Sequence, residues 1–316
     1  MQYPKRVTVV EVGPRDGLQN EAVQVATADK IGFIDRLSGA GLPVIEVSAF
    51  VSPKWIPRLA DAAEVFAGIA MRPAVRYSAL VPNLAGLDRA IATGVREVAI
   101  FAAASEGFSL HNINKTVDAS LEEYRRVCGR ALESGLRVRA YLSTAFGCPY
   151  DGAVAPDRVA SLSAALVAMG AFEVAVSDTI GIAHPGQVAL VLDAVSARVP
   201  LSQVALHFHD TRGTALANVL AALDAGVTTF DAAAGGLGGC PYARGAAGNL
   251  ATEDLIYMLD GLGIETGVQL AEVLAASRFI EPLVGHALPS RYVQAVRAAA
   301  PAARPSTPPA DRRSSN

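Results

Sequence analysis

Residues 204–226, VALHFHDTRGTALANVLAALDAG, decide the fold. Val204–His209 mixes β-branched, aliphatic and aromatic residues in a short run and reads as a strand. Thr214–Ala225 is rich in Ala and Leu and reads as a helix, and Gly226 stands where a helix C-terminus favours glycine. Outward from this unit the same pattern recurs. Strands are expected near Arg6–Val12, Val44–Val47, Ala74–Leu80, Glu97–Ala102, Arg137–Leu142, Phe172–Ser177 and Thr229–Ala232. Their starts lie roughly 23 to 40 residues apart, the size of a strand–helix–strand repeat. Helical stretches such as Thr27–Ala40 and Pro156–Met169 separate them, and Gly41, Gly94, Gly135 and Gly170 repeat the Gly226 stop. Eight such units make an α/β protein of the (β/α)8 TIM-barrel class. The rival is an open doubly wound sheet, which usually has fewer strands and a G-x-G-x-x-G turn after the first. Here the first turn reads Gly13-Pro14-Arg15-Asp16-Gly17, so the barrel is favoured. Two further helical patterns, about Gly267–Glu281 and Ser290–Ala299, form an appendage to one domain spanning residues 1–300. Residues 301–316, rich in Pro, Ala, Arg and Ser, are expected to be a disordered tail.

Composition removes several function classes. The chain has 316 residues, 51% hydrophobic and 18% charged, which is incompatible with disorder over its length. A net charge of −3 offers no basic field, so nucleic acid is not an expected partner. Mean hydropathy is positive at +0.32. Yet the longest stretch without Asp, Glu, Lys or Arg is about 14 residues, short of the ~20 that a spanning helix needs. No membrane partner is expected. Cys128, Cys148 and Cys240 are odd in number and form no C-x-x-C, which argues against a disulfide framework and for a reducing compartment. The opening Met-Gln-Tyr-Pro-Lys-Arg has neither a signal-peptide nor a transit-peptide pattern, so the expected location is the cytosol.

In a barrel of this class, chemistry collects at the C-terminal ends of the strands and in the loops beyond them. The polar residues there are Arg15 and Asp16 after strand one, Glu46 in strand two and Asp178 after strand six. Strand seven ends in His207-Phe208-His209-Asp210, and the last loop carries Gly235-Gly236-Leu237-Gly238-Gly239-Cys240-Pro241 and then Asn249. Alternation along a strand turns His207 and His209 to one face, at the barrel mouth. They are either a hydrogen-bonded structural pair or two ligands of one divalent ion. Strands one and seven both flank strand eight in a closed barrel, which brings Asp16 across from them, and Asn249 adds a neutral oxygen. Two nitrogens, a carboxylate and an amide oxygen suit six-coordinate Mg²⁺ or Mn²⁺. Zn²⁺ is the alternative, with three ligands around a tetrahedron. Arg15 reads either as a salt bridge to Glu46 or as a donor to an oxyanion. A metal for one oxygen and an arginine for another is equipment for carbon–carbon cleavage through an enolate. Cys128 and Cys148 read as core packing. Cys240, among glycines, reads as a thiol on a pliant lid, and phosphate binding is the competing use of such a loop.

As strings, these residues resemble one family. Glu11-Val12-Gly13-Pro14-Arg15-Asp16-Gly17-Leu18-Gln19-Asn20-Glu21, Ser52-Pro53-Lys54-Trp55, Ser177-Asp178-Thr179-Ile180-Gly181, His207-Phe208-His209-Asp210-Thr211, Gly236-Leu237-Gly238-Gly239-Cys240-Pro241-Tyr242 and Gly248-Asn249-Leu250-Ala251-Thr252-Glu253-Asp254-Leu255 are similar to 3-hydroxy-3-methylglutaryl-CoA lyases. The resemblance runs from about Lys5 to Glu281. It implies cleavage of that acyl-CoA to acetyl-CoA and acetoacetate, as in leucine degradation and ketone-body formation. By the same resemblance Asp16, His207, His209 and Asn249 hold the metal, and Arg15 stabilises the enolate. Cys240 takes part in proton transfer with Asp16 and His207. Gln19, Glu46 and Asp178 join Arg15 around the substrate, and the chain forms a homodimer. Arg212 departs from the tyrosine of some members and puts an extra cation near the mouth. Neighbouring expectations are a lyase for citramalyl-CoA or for a longer isoprenoid 3-hydroxyglutaryl-CoA. A condensing synthase of the same superfamily is a more distant one.

Overall fold

A computed structural model describes residues 3–239 and 248–299. The strands are β1 (Thr8–Glu11), β2 (Val44–Ala49), β3 (Arg76–Leu80), β4 (Glu97–Ala103), β5 (Arg137–Ser143), β6 (Glu173–Asp178), β7 (Val204–Phe208) and β8 (Thr229–Ala232). They pair in parallel in sequence order, and β8 closes on β1 with Val9 opposite Phe230. All eight expected strands are present. The unit that decided the fold ends as expected, with Gly226 in the left-handed region at φ 96°, a conformation a side chain would strain.

Strand alternation divides the interior into two layers. Val98, Ile100, Val138, Ala140, Leu142, Val174, Val176, Leu206, Phe208 and Phe230 face outward, buried in one apolar cluster with helix residues such as Phe33, Ile34 and Leu37. The residues between them face the barrel axis. Ala99, Ala175 and Ala205 cluster there with Ala49, Leu80 and Tyr141. Alanines on several strands leave room on the axis for larger side chains from their neighbours, and several of these are polar. Arg139 and Tyr141 alternate with the outward residues of β5, Asp231 with those of β8, and His207 with those of β7. Arg139 and Asp231 are 2% and 1% exposed, so their charges depend on pairing with each other and with buried neighbours.

The widest gap between strands, from β4 to β5, holds two helices, Glu106–Ile113 and Val117–Glu133. The first, not anticipated from the sequence, forms part of the cavity rim described below. Beyond β8 come Thr252–Gly261, Leu270–Val284 and Arg291–Ala299, the last two agreeing with the expected appendage. The tail expected at 301–316 lies outside the described residues.

Two buried carboxyls pin the turn that follows β8. Glu11 accepts the N–H groups of Gly13 (2.8 Å) and Ala234 (2.9 Å) and the Thr252 hydroxyl (2.7 Å). Glu253 accepts the Gly235 N–H at 2.8 Å and the Ser277 hydroxyl. Burial outweighs these hydrogen bonds and raises Glu11 to about 7 and Glu253 to about 8. In the unfolded chain both ionise near 4.5, so between that pH and 7–8 the folded state binds more protons. Their contribution is fully present below about 4.5 and is lost as pH rises through 7–8. Melting temperature is therefore expected to fall by ~5 °C between pH 5 and 8.5, and Glu253→Gln to flatten that slope. An unchanged slope in the variant would refute the assignment.

Candidate active site and metal centre

The site is assembled by the ends of β1, β7 and β8. After β1 the chain makes a wide helical turn, Gly13–Gly17, in which the N–H groups of Arg15, Asp16 and Gly17 all reach the Val12 carbonyl. That turn lifts Arg15 and Asp16 over the barrel mouth. His207 lies within β7, level with Asp231 of β8 and Ser177 of β6. His209, just past the strand, pairs with Asn249, where the chain returns from its last loop. Gly238 makes the close approach possible: at φ 93° it sits where a Cβ would lie 2.8 Å from Asn249 Nδ2.

The expected ligands converge. Asp16, His207 and His209 each offer a ligand atom, all within 4.8 Å of one another. Asn249 donates from Nδ2 to Asp16 Oδ2 (2.9 Å) and to the Leu237 carbonyl (3.0 Å). That leaves Asn249 Oδ1 buried with no hydrogen-bond partner, and His209 Nδ1 is in the same state. An unmatched buried polar atom typically costs ~1–3 kcal/mol, and a cation would satisfy such an acceptor. Burial alone would raise the Asp16 carboxyl, but Arg15, both histidines and the Asn249 amide hold it at about 2. Burial, with His207 alongside and Asp16 opposing, lowers His209 to about 4. An ionised carboxylate, an imidazole with a free lone pair and a buried amide oxygen are the forms that bind a divalent cation, so the residues fit a metal.

Arg15 stands beside this centre, 6% exposed. Its Nε donates to Glu46 Oε2 at 2.5 Å and its Nη1 to Asp16 Oδ1 at 2.6 Å. The salt bridge weighed against an oxyanion role is therefore present, and Nη2 takes part in neither bond. The guanidinium lies 5.3 Å from the centroid of the Tyr141 ring, whose hydroxyl donates to Glu46 Oε2 at 3.2 Å.

Above these residues opens a cavity of about 730 Å³. Arg15, Asp16, Gln19, Tyr141, His207 and His209 line it with apolar groups including Val51, Ile56, Leu80, Phe101 and Phe108. Trp55, 84% exposed, stands among its lining residues. Gln19 Oε1 is buried without a partner. Glu46 is not a lining residue and reaches the site through Arg15. Asp178 also lies off the lining: its two oxygens accept the N–H groups of Ile182 (3.0 Å) and Ala183 (2.9 Å), which shapes its own turn. Arg212 donates from Nη1 to the carbonyls of Ile180 (2.8 Å) and Gly181 (3.0 Å), away from the lining. Cys240, expected on the lid, lies outside the described residues. Cys128 is fully buried and its thiol is pushed up to about 11 by burial, in keeping with core packing. Cys148 is buried too, its sulfur accepting two backbone N–H groups.

Sequence reasoning missed Tyr141 and the pair Arg139–Asp231 beneath it. Their signal was a charged or phenolic residue at an inward position of an otherwise apolar strand. No described helix is long and apolar enough to cross a membrane.

Comparison with known proteins places the chain among relatives of the same fold. The 3-hydroxy-3-isohexenylglutaryl-CoA/hydroxymethylglutaryl-CoA lyase of Pseudomonas aeruginosa is 51% identical over 95% of this chain and 100% of its own. The crystal structure of the Bacillus subtilis HMG-CoA lyase matches with a TM-score of 0.93 and 52% identity, covering 94% of this chain and 100% of that one. An Acinetobacter baumannii HMG-CoA lyase, solved with coenzyme A and 3-methylmalate, matches with a TM-score of 0.88 and 39% identity, covering 93% and 96%. With the HMGL-like pattern matching residues 6–280, the chain belongs to the HMGL-like family.

Proposed function

We propose that this protein cleaves 3-hydroxy-3-methylglutaryl-CoA to acetyl-CoA and acetoacetate, with Mg²⁺ or Mn²⁺ held by Asp16, His207, His209 and Asn249. The observation that carries this reading is the convergence of Arg15 with the Asp16–His207–His209 cluster on one cavity. Relatives of similar sequence bear the lyase name, and one was solved with coenzyme A. When bound, the metal supplies Lewis acidity that favours loss of the proton from the substrate's C3 hydroxyl.

The chain's own groups do the rest. As C2–C3 breaks, its electron pair moves to C2 and the thioester oxygen gains enolate charge. Arg15, already fixed by Glu46 and Asp16, meets that charge without having to reorganise. The C3 oxygen becomes the ketone of acetoacetate, and a proton delivered to C2 completes acetyl-CoA. The apolar wall of Val51, Ile56, Leu80, Phe101 and Phe108 keeps water from the reacting carbons. Gln19, a polar residue of the cavity lining, is placed to hydrogen-bond the substrate. The assignments of Cys240 to proton transfer, of the chain to leucine breakdown and of a homodimer rest on the sequence resemblance.

The test is acetoacetate release from 3-hydroxy-3-methylglutaryl-CoA by the purified protein, with citramalyl-CoA in parallel. Product is expected from the first, with activity abolished by a chelator and restored by Mn²⁺. Turnover of citramalyl-CoA alone would overturn the substrate, and a rate untouched by chelation would overturn the metal.

A further inference from the structure

We propose that Asp231, clamped by Arg139, is a positioning residue that fixes His207 with its proton on Nδ1 and its Nε2 lone pair toward the Asp16–His209 centre. The proposal rests on the metal reading of that centre for its function, though the clamp itself is observable without it.

Register sets the contact. β7 and β8 align with His207 opposite Asp231, both facing the barrel axis. Asp231 Oδ2 lies 3.1 Å from His207 Nδ1. The same carboxylate receives a two-pronged bond from Arg139, with Nη2 to Oδ1 at 2.7 Å and Nη1 to Oδ2 at 3.2 Å. Arg139 is tied in turn through Nε to Glu173 Oε1 at 2.7 Å. The Arg139 side chain is 3% exposed and that of Asp231 fully buried, so neither charge has water as an alternative partner.

A carboxylate gripped by a guanidinium only accepts hydrogen bonds. His207 Nδ1 must then be the donor, and of the two neutral tautomers this is the one whose Nε2 carries the lone pair. The ring is also hindered from turning, since Tyr141 packs against it edge-on, at 6.0 Å between centroids and 88° between planes. The Arg139 guanidinium lies 5.1 Å from the Tyr141 ring centroid, so the clamp supports that neighbour as well. Burying three charges from three strands is poor as mere filling, because apolar residues of the same volume serve stability as well or better. An orienting role gives these charges a use at this level of the barrel, directly under the candidate ligand His207.

The test uses the full chain labelled with ¹⁵N-histidine. Long-range ¹H–¹⁵N correlation, with His207 assigned by its loss in His207→Gln, reads the tautomer without any metal. The Nδ1–H form is expected; an Nε2–H form would overturn the clamp. In parallel, Mn²⁺ affinity is measured by the free-ion electron paramagnetic resonance signal. Asp231→Asn is expected to weaken it ~10–100-fold, the usual effect of losing a partner behind a metal-bound histidine. Unchanged affinity in a variant with native near-ultraviolet circular dichroism would overturn the proposal. Should that variant not fold, the wild-type tautomer decides alone. A wild-type protein that binds no Mn²⁺ yet shows the Nδ1–H form would refute the metal reading and leave the clamp standing.

Discussion

Arg15→Gln is expected to lower kcat by ~10²–10³-fold while Mn²⁺ affinity stays within about threefold of wild type. The magnitude follows from how little freedom Arg15 has. It is anchored at Nε by Glu46 and at Nη1 by Asp16, with the Tyr141 ring beneath it. Glutamine restores neither the charge nor the reach. The difficulty is that Arg15 also neutralises Glu46, which is 1% exposed and which burial already pushes above the usual carboxylate range. Removing the arginine strands that carboxyl, and stranding a buried charge costs ~3–5 kcal/mol unless it takes up a proton. A fall in activity alone would therefore not separate chemistry from scaffold. The double variant Arg15→Gln with Glu46→Gln makes the separation: it is expected to recover melting temperature without recovering turnover. Acetoacetate release at saturating substrate and metal reads the first quantity, and thermal unfolding the second. Turnover that returns with stability would place Arg15 in the scaffold.

The same residue shows what sequence can carry. Arg15, Asp16, His207, His209 and Asn249 were legible because each sits at or past a strand end, where barrel topology alone brings the first and last strands together. The convergence of the three titratable candidate ligands within 4.8 Å follows from β1 and β7 both flanking β8. The eight strands were legible for a related reason: strands buried on both faces read as short apolar runs at regular spacing. That continuity is also what hid Tyr141, Arg139 and Asp231. An apolar run carries no period to show which residues face the axis, so register was needed to place Asp231 opposite His207. Arg139, Glu173 and Asp231 nonetheless carried a signal that went unread, since a charge within an apolar strand must find a buried partner. Asp178 and Arg212 show what position alone leaves open. Position near the mouth was right, but each side chain turns to backbone groups of the turn around residues 180–183, a choice made by local geometry.

Asp16→Asn is expected to weaken Mn²⁺ binding by at least ~10²-fold, because residues merely behind a ligand already contribute 10–100-fold. The substitution preserves size and removes charge, and its second effect is on hydrogen bonding. Asp16 receives Arg15 Nη1 on Oδ1 and Asn249 Nδ2 on Oδ2, so both oxygens face donors. A carboxamide offers one acceptor and one donor, and whichever way it turns, its NH₂ meets another N–H. Either Arg15 loses one of its two anchors or Asn249 loses the bond that orients its Oδ1. Saturating Mn²⁺ is then expected to restore occupancy but not full turnover, leaving kcat lower by on the order of 10²-fold. His209→Gln, which removes a ligand without touching Arg15, separates the two effects: its affinity falls and its kcat at saturation is expected to stay closer to wild type. Free-ion electron paramagnetic resonance gives the affinities, and acetoacetate release gives the rates. Affinity within threefold of wild type for Asp16→Asn would remove Asp16 from the ligand set and leave it as a brace for Arg15.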